Sequence, residues 1–395
     1  MKPKDLMGRR DFLKTTFYAG TIMAFSGMGL QKVFAATGGT INFADIGVGD
    51  PGGDWSKFTA KTGWKVNLVA IGNAPSTILN VLIAGGGMQT YDVINIVGGM
   101  QKPLVDNDLI LEIDTNRIPN WQKNTYIQQY ITPGSPGFNF IGYENKIYGV
   151  PTVLQGDSFA YLEDVTGPLD SYGALFDPKW KGYVALEDNY TTAGQKTALY
   201  LKANKLAEIN DPADMSPGEI KTVIDFLIEK KREGQFRVIW TGFEQAVNLL
   251  VNREIYVMDC WEPMVFVAKS KGARAVYADP REGYLLWAMA AYLVNNPKRP
   301  AERTQVAYDL MNFILAPWYG AKITSMRGYM TNPQAPGYAA AHPAEFSAAE
   351  SQKINDISNG VKRKFDQGGT WQNRWPKHVE VYESEWARFK AARSG

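Results

Sequence analysis

The histidines and the glycine runs are the residues of this chain with the best-known links to catalysis or cofactor binding. The two histidines, His342 and His378, both lie late in the sequence, and neither has the spacing of a metal ligand. The sequence therefore offers little support for a zinc site or a histidine-based triad. Glycines cluster at 85–87 and 98–99, but neither run has the pattern of a phosphate-binding loop or a dinucleotide fingerprint. We expect no cofactor and no metal. Paired carboxylates that hydrolyse a glycosidic bond remain open, because one sequence does not show which acids face each other.

Aromatic side chains are the larger supply of potential ligand contacts. They make up 12% of the chain, with 11 tryptophans and 20 tyrosines. Such rings offer flat apolar faces with a polar edge, although most of them will form core. The single cysteine, Cys260, has no partner for a disulfide bond within the chain, so the fold must rest on packing. We expect this thiol to be buried and unreactive.

The first 35 residues have the layout of an export signal. Basic residues that include the pair Arg9 and Arg10 precede an uncharged apolar stretch at 15–30, and small or slim side chains precede a cut after Ala35. The arginine pair with the Phe-Leu-Lys run that follows it after one residue resembles a twin-arginine signal, which directs folded proteins out of the cytoplasm. The alternative is a transmembrane anchor, but the apolar stretch is shorter than the roughly 20 residues of a span.

Removal of this signal changes the charge of the chain. The formal charge is +2, but residues 1–35 hold six basic and two acidic residues, so the remaining 360 residues carry about −2. A mildly acidic chain is a poor match for nucleic acid or an anionic membrane surface. A length of 360 residues exceeds what one hydrophobic core usually organises, so two lobes are expected.

The mature chain alternates between strand-like and helix-like segments. Short apolar runs bounded by turn residues predict strands, and apolar positions three or four apart predict helices. This alternation favours an α/β fold with a mostly parallel sheet. The predicted strands are 41–46, 64–68, 91–97, 148–154, 183–187, 237–241, 255–259 and 285–294. The predicted helices are 55–61, 76–84, 194–203, 217–233, 302–315 and 376–392. Segments 148–154 and 285–294 are interpreted as crossovers between two α/β blocks.

Several runs along this framework are similar to one known family. They are Phe58–Val66 (FTAKTGWKV), Tyr91–Ile94, Leu109–Asp114, Tyr148–Pro151 (YGVP), Phe176–Leu186 (FDPKWKGYVAL), Pro280–Trp287 (PREGYLLW), Asn312–Pro317 (NFILAP), Arg327–Pro333 (RGYMTNP) and Thr370–Asn373 (TWQN). In order and spacing they resemble the spermidine/putrescine type of periplasmic solute-binding protein, the capture component of an ABC importer. The resemblance covers nearly the whole mature chain, although no single motif is decisive.

The resemblance implies a two-lobe periplasmic-binding-protein fold of type II-like topology. Its ligand cleft lies between the lobes, and the crossover strands form the hinge. The expected first lobe comprises 40–150 and 288–335, and the expected second lobe comprises 151–287 and 336–395. In this family, ammonium groups lie against aromatic faces and pair with carboxylates.

Position by position, the resemblance implies an altered binding site. Residues of the family's own type stand at Trp261, Trp287, Tyr329 and Gln372, whereas Asn189, Thr192 and Met289 stand where the family has acids. A cation would then need substitute partners, for which the candidates are Asp45, Asp259 and Glu262.

The ends of the first-lobe strands differ from the family as well. Glycines such as Gly47 replace an expected aromatic at the end of the first strand. Gly98 and Gly99 follow another strand, where their backbone amides could hold a carboxylate or phosphonate paired with Arg327. Such a pocket would suit a zwitterion such as an amino acid.

The resulting functional expectation is a non-enzymatic, monomeric periplasmic protein. It would capture a small nitrogen-containing solute, either polyamine-like or amino-acid-like such as γ-aminobutyrate, and deliver it to a membrane permease and its ATPase. Two alternatives remain open: an exported enzyme with a bound cofactor, and a sensory receptor subunit with the same fold.

Overall fold

A computed structural model describes residues 39–72, 75–372 and 375–393. The predicted export signal lies outside these residues. Among them, no helix is long and apolar enough to cross a bilayer.

The described strands and helices follow the predicted alternation. The strands are β1 (Thr40–Asp45), β2 (Lys65–Ala70), β3 (Val93–Val97), β4 (Gly142–Tyr143), β5 (Lys146–Ile147), β6 (Gly149–Leu162), β7 (Val184–Glu187), β8 (Phe236–Trp240), β9 (Val257–Cys260), β10 (Ala275–Tyr277), β11 (Tyr284–Leu293) and β12 (Gly369–Trp371). The helices are α1 (Ser56–Thr62), α2 (Pro75–Ile83), α3 (Gly87–Thr90), α4 (Gln101–Asp106), α5 (Pro119–Lys123), α6 (Thr125–Ile131), α7 (Glu163–Thr166), α8 (Gln195–Ala203), α9 (Pro217–Arg232), α10 (Phe243–Val251), α11 (Glu262–Ser270), α12 (Ala301–Ile314), α13 (Pro317–Arg327), α14 (Ala335–Ala341), α15 (Ala348–Gln367) and α16 (Val379–Ala391).

One sheet runs through the described part of the molecule. Its strand order is β2-β1-β3-β11-β6-β9-β7-β8, with β12 beside β11 and β10 beside β6. Strand β1 is parallel to β2 and β3, and β7 is parallel to β8 and β9. Between these two parallel blocks lie β6 and β11, which are antiparallel to each other. The sheet is therefore two α/β blocks joined by an antiparallel pair of long strands.

The long strands β6 and β11 connect the two blocks. All 14 residues of β6 are buried, including the polar Gln155, Asp157 and Ser158. Its first part pairs with β11, and its last part pairs with β9 and β10. The prediction found the start of β6 but ended it eight residues early, because Gln155, Gly156 and Asp157 interrupt the apolar pattern.

Separate apolar clusters fill the two blocks. The first contains side chains from β1, β3, α12, α13 and the second half of β11. The second lies around α8, α9 and α16, and a third lies between β9, α10 and α11. Division of the core into more than one cluster agrees with the limit on the size of a single core.

Helix α15 belongs with the first core, which differs from the lobe assignment based on sequence. Residues 336–395 were expected in the second lobe, but Ile354, Ile357, Val361 and Phe365 of α15 pack into the first cluster. These positions form one stripe of the helix, and a capping box at Ser347 fixes its start. The stripe has its apolar partners in α13 and α14 of the first block, so tertiary packing decides where the segment belongs. The tail helix α16 does pack in the second block.

Candidate ligand-binding site

The candidate site lies where the carboxyl ends of the parallel strands approach the crossover strands. Ligands of open α/β sheets bind in this crevice, because polar groups at strand ends need not complete the sheet. Asp45 ends β1, Glu187 ends β7, and Asp259 lies near the end of β9. Asp157 and Trp287 lie on the crossover strands β6 and β11.

Three carboxyl side chains and one lysine gather on the second block. Asp157, Glu187 and Asp259 come from three different strands, and Lys196 lies in the first turn of α8. Lys196 and Asp259 have no exposed surface and form an ion pair. An ammonium at the start of a helix opposes the helix dipole, so the carboxylates are what stabilise Lys196 here. This cluster is called the acid cluster below.

Burial controls the protonation of the acid cluster. It raises the pKa of Glu187 to about 8, with the charge of Asp259 adding to the rise and Lys196 opposing it. Burial also raises the pKa of Asp157, and both the Lys196 charge and the Trp287 indole oppose this rise. Burial alone would lower the pKa of Lys196, but Asp259 and Asp157 outweigh it, so its pKa is raised. At neutral pH, Lys196 is therefore charged and Glu187 holds its proton.

Trp261 and the turn after β7 hold Glu187 in place. The Trp261 indole nitrogen donates to a Glu187 carboxyl oxygen at 3.0 Å, and its ring packs edge-on against Trp240. Thr192 also lowers the pKa of Glu187 by hydrogen bonding. The turn itself is capped by Asn189, whose Oδ1 accepts from the Thr191 backbone amide at 2.9 Å. Asn189 thus shapes the turn that carries Thr192.

Trp287 and Tyr329 form an aromatic pair beside the acid cluster. Their ring centroids are 5.5 Å apart at an interplanar angle of 71°. The Trp287 indole opposes part of the rise in the pKa of Asp157, yet its Nε1 does not reach hydrogen-bond geometry with any described residue. The charges of Asp157, Glu262 and Arg327 all act on the Tyr329 hydroxyl. The aromatic pair is therefore close enough to the acid cluster and to these two further groups for their charges to act on it.

Glu262 is already engaged by a lysine from the first block. Lys364 of α15 contacts its carboxylate at 2.8 Å, and Gln155 donates to the same oxygen at 2.9 Å. Lys364 also donates to the Gln155 side chain at 3.0 Å and lies over the Tyr277 ring. This network joins α15 to α11 across the crossover strand β6. Two of the three acids predicted as cation partners, Asp259 and Glu262, thus have lysine partners of their own.

Asp45 and its glycines form a closed hydrogen-bond group at the end of β1. The Asp45 carboxylate accepts from the backbone amides of Gly47 and Gly49 and from the Asn95 side chain at 2.6 Å. A Cβ on Gly49 would lie 2.9 Å from the side-chain ends of both Asp45 and Asn95, so a larger residue there would displace these hydrogen-bonded groups. Burial raises the pKa of Asp45 despite these donors. The Gly47 amide is therefore taken up by Asp45.

The backbone amides at the end of β3 do not form the anticipated anion cradle. Gly98 donates to the Ala288 carbonyl at 3.1 Å, and Gly99 donates to the Phe140 carbonyl at 2.8 Å. The close approach of Phe140 and β11 satisfies both amides, as buried backbone groups require. Arg327 differs, because its buried Nε has no hydrogen-bond partner among the described residues and its charge acts on Asp45.

The remaining predicted residues take different places. Gln372 lies beside β11, where its backbone amide donates to the Leu286 carbonyl. Its buried side-chain Oε1 has no partner within the described ranges. Met289 lies at an irregularity in the β6–β11 pairing and is half-buried. Cys260 is fully buried, and burial raises the pKa of its thiol. Within the part of the chain that the structure describes, no group of histidine, cysteine and acidic residues is arranged to hold a metal ion.

Sequence reasoning missed Asp157, Glu187 and Lys196. A signal for two of them was present, since Asp157 and Glu187 each interrupt or end a strongly apolar strand, and a buried charge in such a place requires a partner or a function. Lys196 gave no comparable signal, because the helix that carries it has an ordinary mixed composition.

Comparison with known proteins places this architecture in a family. Residues 55–352, roughly three quarters of the chain, match the bacterial extracellular solute-binding proteins. The spermidine/putrescine-binding periplasmic protein of Salmonella typhimurium is 21% identical over 93% of this chain and 96% of its own length. The solved spermidine/putrescine ABC transporter substrate-binding protein from Streptococcus pneumoniae is 16% identical, with a TM-score of 0.69 over 90% of this chain and all of that one. The solved Atu4243 GABA receptor is 14% identical, with a TM-score of 0.63 over 90% of this chain and 99% of that one. The chain therefore belongs to the bacterial extracellular solute-binding protein family and has the two-lobe fold of its solved relatives.

Proposed function

We propose that this protein captures a small nitrogen-containing organic solute between its two lobes and delivers it to an ABC permease. The carrying observation is the acid cluster: three buried carboxyls, with only Lys196 among them, lie beside the rings of Trp261 and Trp287. This surplus of carboxyls attracts a cation, and the aromatic faces favour the same charge. The chemistry fits both a polyamine-like and an amino-acid-like solute.

Glu187 supplies a carboxylate when a cation arrives. In the ligand-free protein it holds a proton because burial raises its pKa to about 8. An ammonium placed within a few ångströms lowers that pKa, so ligand binding releases the proton and forms an ion pair. The Trp261 indole donates to Glu187 and stabilises the charged form.

Hinge closure links binding to delivery. The acid cluster belongs to the second block, whereas Arg327 and Tyr329 lie at and just after the end of α13 in the first block. A solute therefore contacts both blocks only when they approach each other. The solute therefore shifts the population toward the closed form, which the permease and its ATPase recognise. The protein acts as a monomer and does not alter the solute chemically.

The same proposal places the protein in the periplasm. The curated relative from Salmonella typhimurium is a periplasmic protein. Residues 1–35 of this chain have the basic, apolar and small-residue regions of an export signal with a twin-arginine pair. The expected mature protein begins after Ala35.

A thermal-shift panel on the mature protein tests the proposed function. The probes are putrescine, spermidine, γ-aminobutyrate and choline, with glucose and succinate as solutes that lack a cationic nitrogen. A ligand that binds only the folded state raises the melting temperature in step with its affinity. We expect at least one nitrogenous cation to raise it and glucose and succinate to leave it unchanged. Stabilisation by glucose or succinate alone would refute the proposal.

Substitution of Trp287, one residue of the aromatic pair, tests whether the thermal shift arises from this site. Trp287→Ala should abolish the shift caused by the nitrogenous ligand, because it removes the ring beside the acid cluster. Trp64→Ala is the matched control, since Trp64 packs against the first core at a distance from the cleft. An equal response in both variants would place the ligand elsewhere.

A further inference from the structure

Lys196 is a lysine inside a site that attracts cations, and its position has consequences for the ligand. It is the only cationic side chain that contacts Asp259 among the described residues, and neither side chain is exposed. Its charge also acts on Asp157 and Glu187. The ammonium of Lys196 thus already occupies one of the positions where a ligand ammonium would be stabilised.

The acid cluster contains more carboxyl groups than cationic groups. Asp259 is matched by Lys196, which leaves Asp157 and Glu187 for the ligand. The charge of Lys196 lowers the pKa of both carboxyls, so both lie near the same ammonium. We therefore treat them as one cation-binding position rather than two. A single ammonium between them and the Trp261 and Trp287 rings satisfies this position.

Among the described residues, the two carboxylates on the Arg327 side of the aromatic pair, those of Glu262 and Asp45, already have partners. Glu262 is paired with Lys364 at 2.8 Å and with Gln155. Asp45 accepts from Asn95 and two backbone amides. A second ammonium on this side would be buried without a partner, which strongly opposes binding.

What this side offers instead is a hydrogen-bond donor. The buried Nε of Arg327 has no partner within the described residues. Buried donors of this kind are almost always satisfied in a functional state, and an arginine favours a carboxylate. Arg327 lies two residues before Tyr329 in the chain, and its charge acts on the Tyr329 hydroxyl.

We propose that Lys196 acts as a built-in cation that sets the charge of the ligand. The site then selects a solute with one ammonium group and a hydrogen-bond acceptor, such as a carboxylate, at its far end. An ω-amino acid fits this description, and a diamine does not. The inference rests on the proposed function and decides between its two ligand classes.

Three probes with the same four-carbon chain isolate the far group. γ-Aminobutyrate has a carboxylate there, butylamine a methyl group and putrescine a second ammonium. Titration calorimetry on the mature protein should give affinities in that order, with putrescine at least about tenfold weaker than γ-aminobutyrate because its second ammonium is unpaired. Putrescine binding as tightly as γ-aminobutyrate overturns the inference.

Substitution of Lys196 tests its role directly. Lys196→Met keeps the volume, removes the charge and frees Asp259, so the affinity for putrescine should rise by at least about tenfold relative to γ-aminobutyrate. The double variant Lys196→Met/Asp259→Asn also removes the freed acid and should keep the wild-type order. Lys231→Met is the matched control, because Lys231 lies in the same block but donates to the Phe389 and Lys390 carbonyls.

The outcomes separate this inference from the proposed function. Failure of every nitrogenous probe to bind the wild type would refute both. Tight putrescine binding to the wild type, or an unchanged ligand order in Lys196→Met, would refute only the role of Lys196. If Lys196→Met does not fold, Lys196→Gln removes the same charge, and the wild-type order still decides between the two ligand classes.

Discussion

The Trp261 indole nitrogen donates to a carboxyl oxygen of Glu187 at 3.0 Å. The sequence predicted that Trp261 offers a flat aromatic face to the ligand. The structure adds a hydrogen bond from this residue to an acid. Its N–H favours the charged form of a carboxyl whose pKa burial raises to about 8. Under the proposed function, we expect the ring both to line the site and to prepare Glu187 for a cation.

We expect Trp261→Phe to weaken binding of a cationic ligand by about tenfold while leaving the fold intact. Phenylalanine keeps an aromatic face but loses the donor, and a hydrogen bond to a charged group contributes about 1.5–3 kcal/mol. The pKa of Glu187 should rise further, so the pH at which affinity reaches half its maximum should move upward. Calorimetry between pH 6 and 9 measures both effects. Trp64→Phe is the control, and an unchanged pH midpoint in Trp261→Phe would contradict the role of the N–H.

Glu187 should make the stability of the protein depend on pH. Its pKa in the folded state is raised above the ordinary value, so folding favours the protonated form. Its contribution to stability is therefore fully present below the unfolded pKa and is lost as the pH rises toward about 8, on the order of a few kcal/mol.

Urea unfolding between pH 5 and 9 measures this pH dependence. Glu187→Gln cannot ionise, so its stability should decline less than that of the wild type over this range. Glu233→Gln, an exposed acid on the second block, should follow the wild-type curve. Parallel curves for the wild type and Glu187→Gln would show that Glu187 stays ionised in the folded protein.

The ion pair between Lys364 and Glu262 should stabilise the contact between α15 and α11. The side chains are 3% and 18% exposed, so loss of the lysine leaves a poorly hydrated carboxylate. Breaking such a pair costs about 3–5 kcal/mol, and we expect Lys364→Met at the low end because Glu262 is partly exposed.

Lys362 provides a matched control on the same helix. It pairs with Asp366 at the surface, and such pairs contribute about 0–1 kcal/mol. Chemical unfolding of Lys364→Met and Lys362→Met should therefore separate the two lysines clearly. Equal losses of stability would mean that the Lys364 network does not hold the two blocks together.

Gly98 should tolerate no side chain. A Cβ at this position would lie 1.8 Å from ring atoms of Phe140 and 3.0 Å from the Ala288 carbonyl. Gly98→Ala should lower the free energy of unfolding by about 1–3 kcal/mol through overpacking. Gly360 in α15 has open space, so Gly360→Ala should raise it by about 0.5–1 kcal/mol. Thermal unfolding measures both, and a neutral Gly98→Ala would show that Phe140 can move aside.

The sequence by itself determined the alternation of strands and helices, because apolar periodicity is a local property. It also determined the presence of two crossovers, since β6 and β11 are long apolar runs that must be buried on both faces. The resemblance of its motifs extended these elements to the two-lobe fold, which the relatives confirm. These features depend on neighbouring residues or on order along the chain.

Tertiary structure decided which charges meet. Asp157, Glu187 and Lys196 come from separate strands and a helix, and no local pattern links them. The same is true of Lys364, whose helix was expected in the other lobe and instead reaches across β6 to Glu262. Whether a buried acid is free for a ligand or matched by a lysine depends on side chains far apart in sequence. Under our proposal, that pairing, rather than the identity of any one residue, sets how much positive charge the cleft accepts.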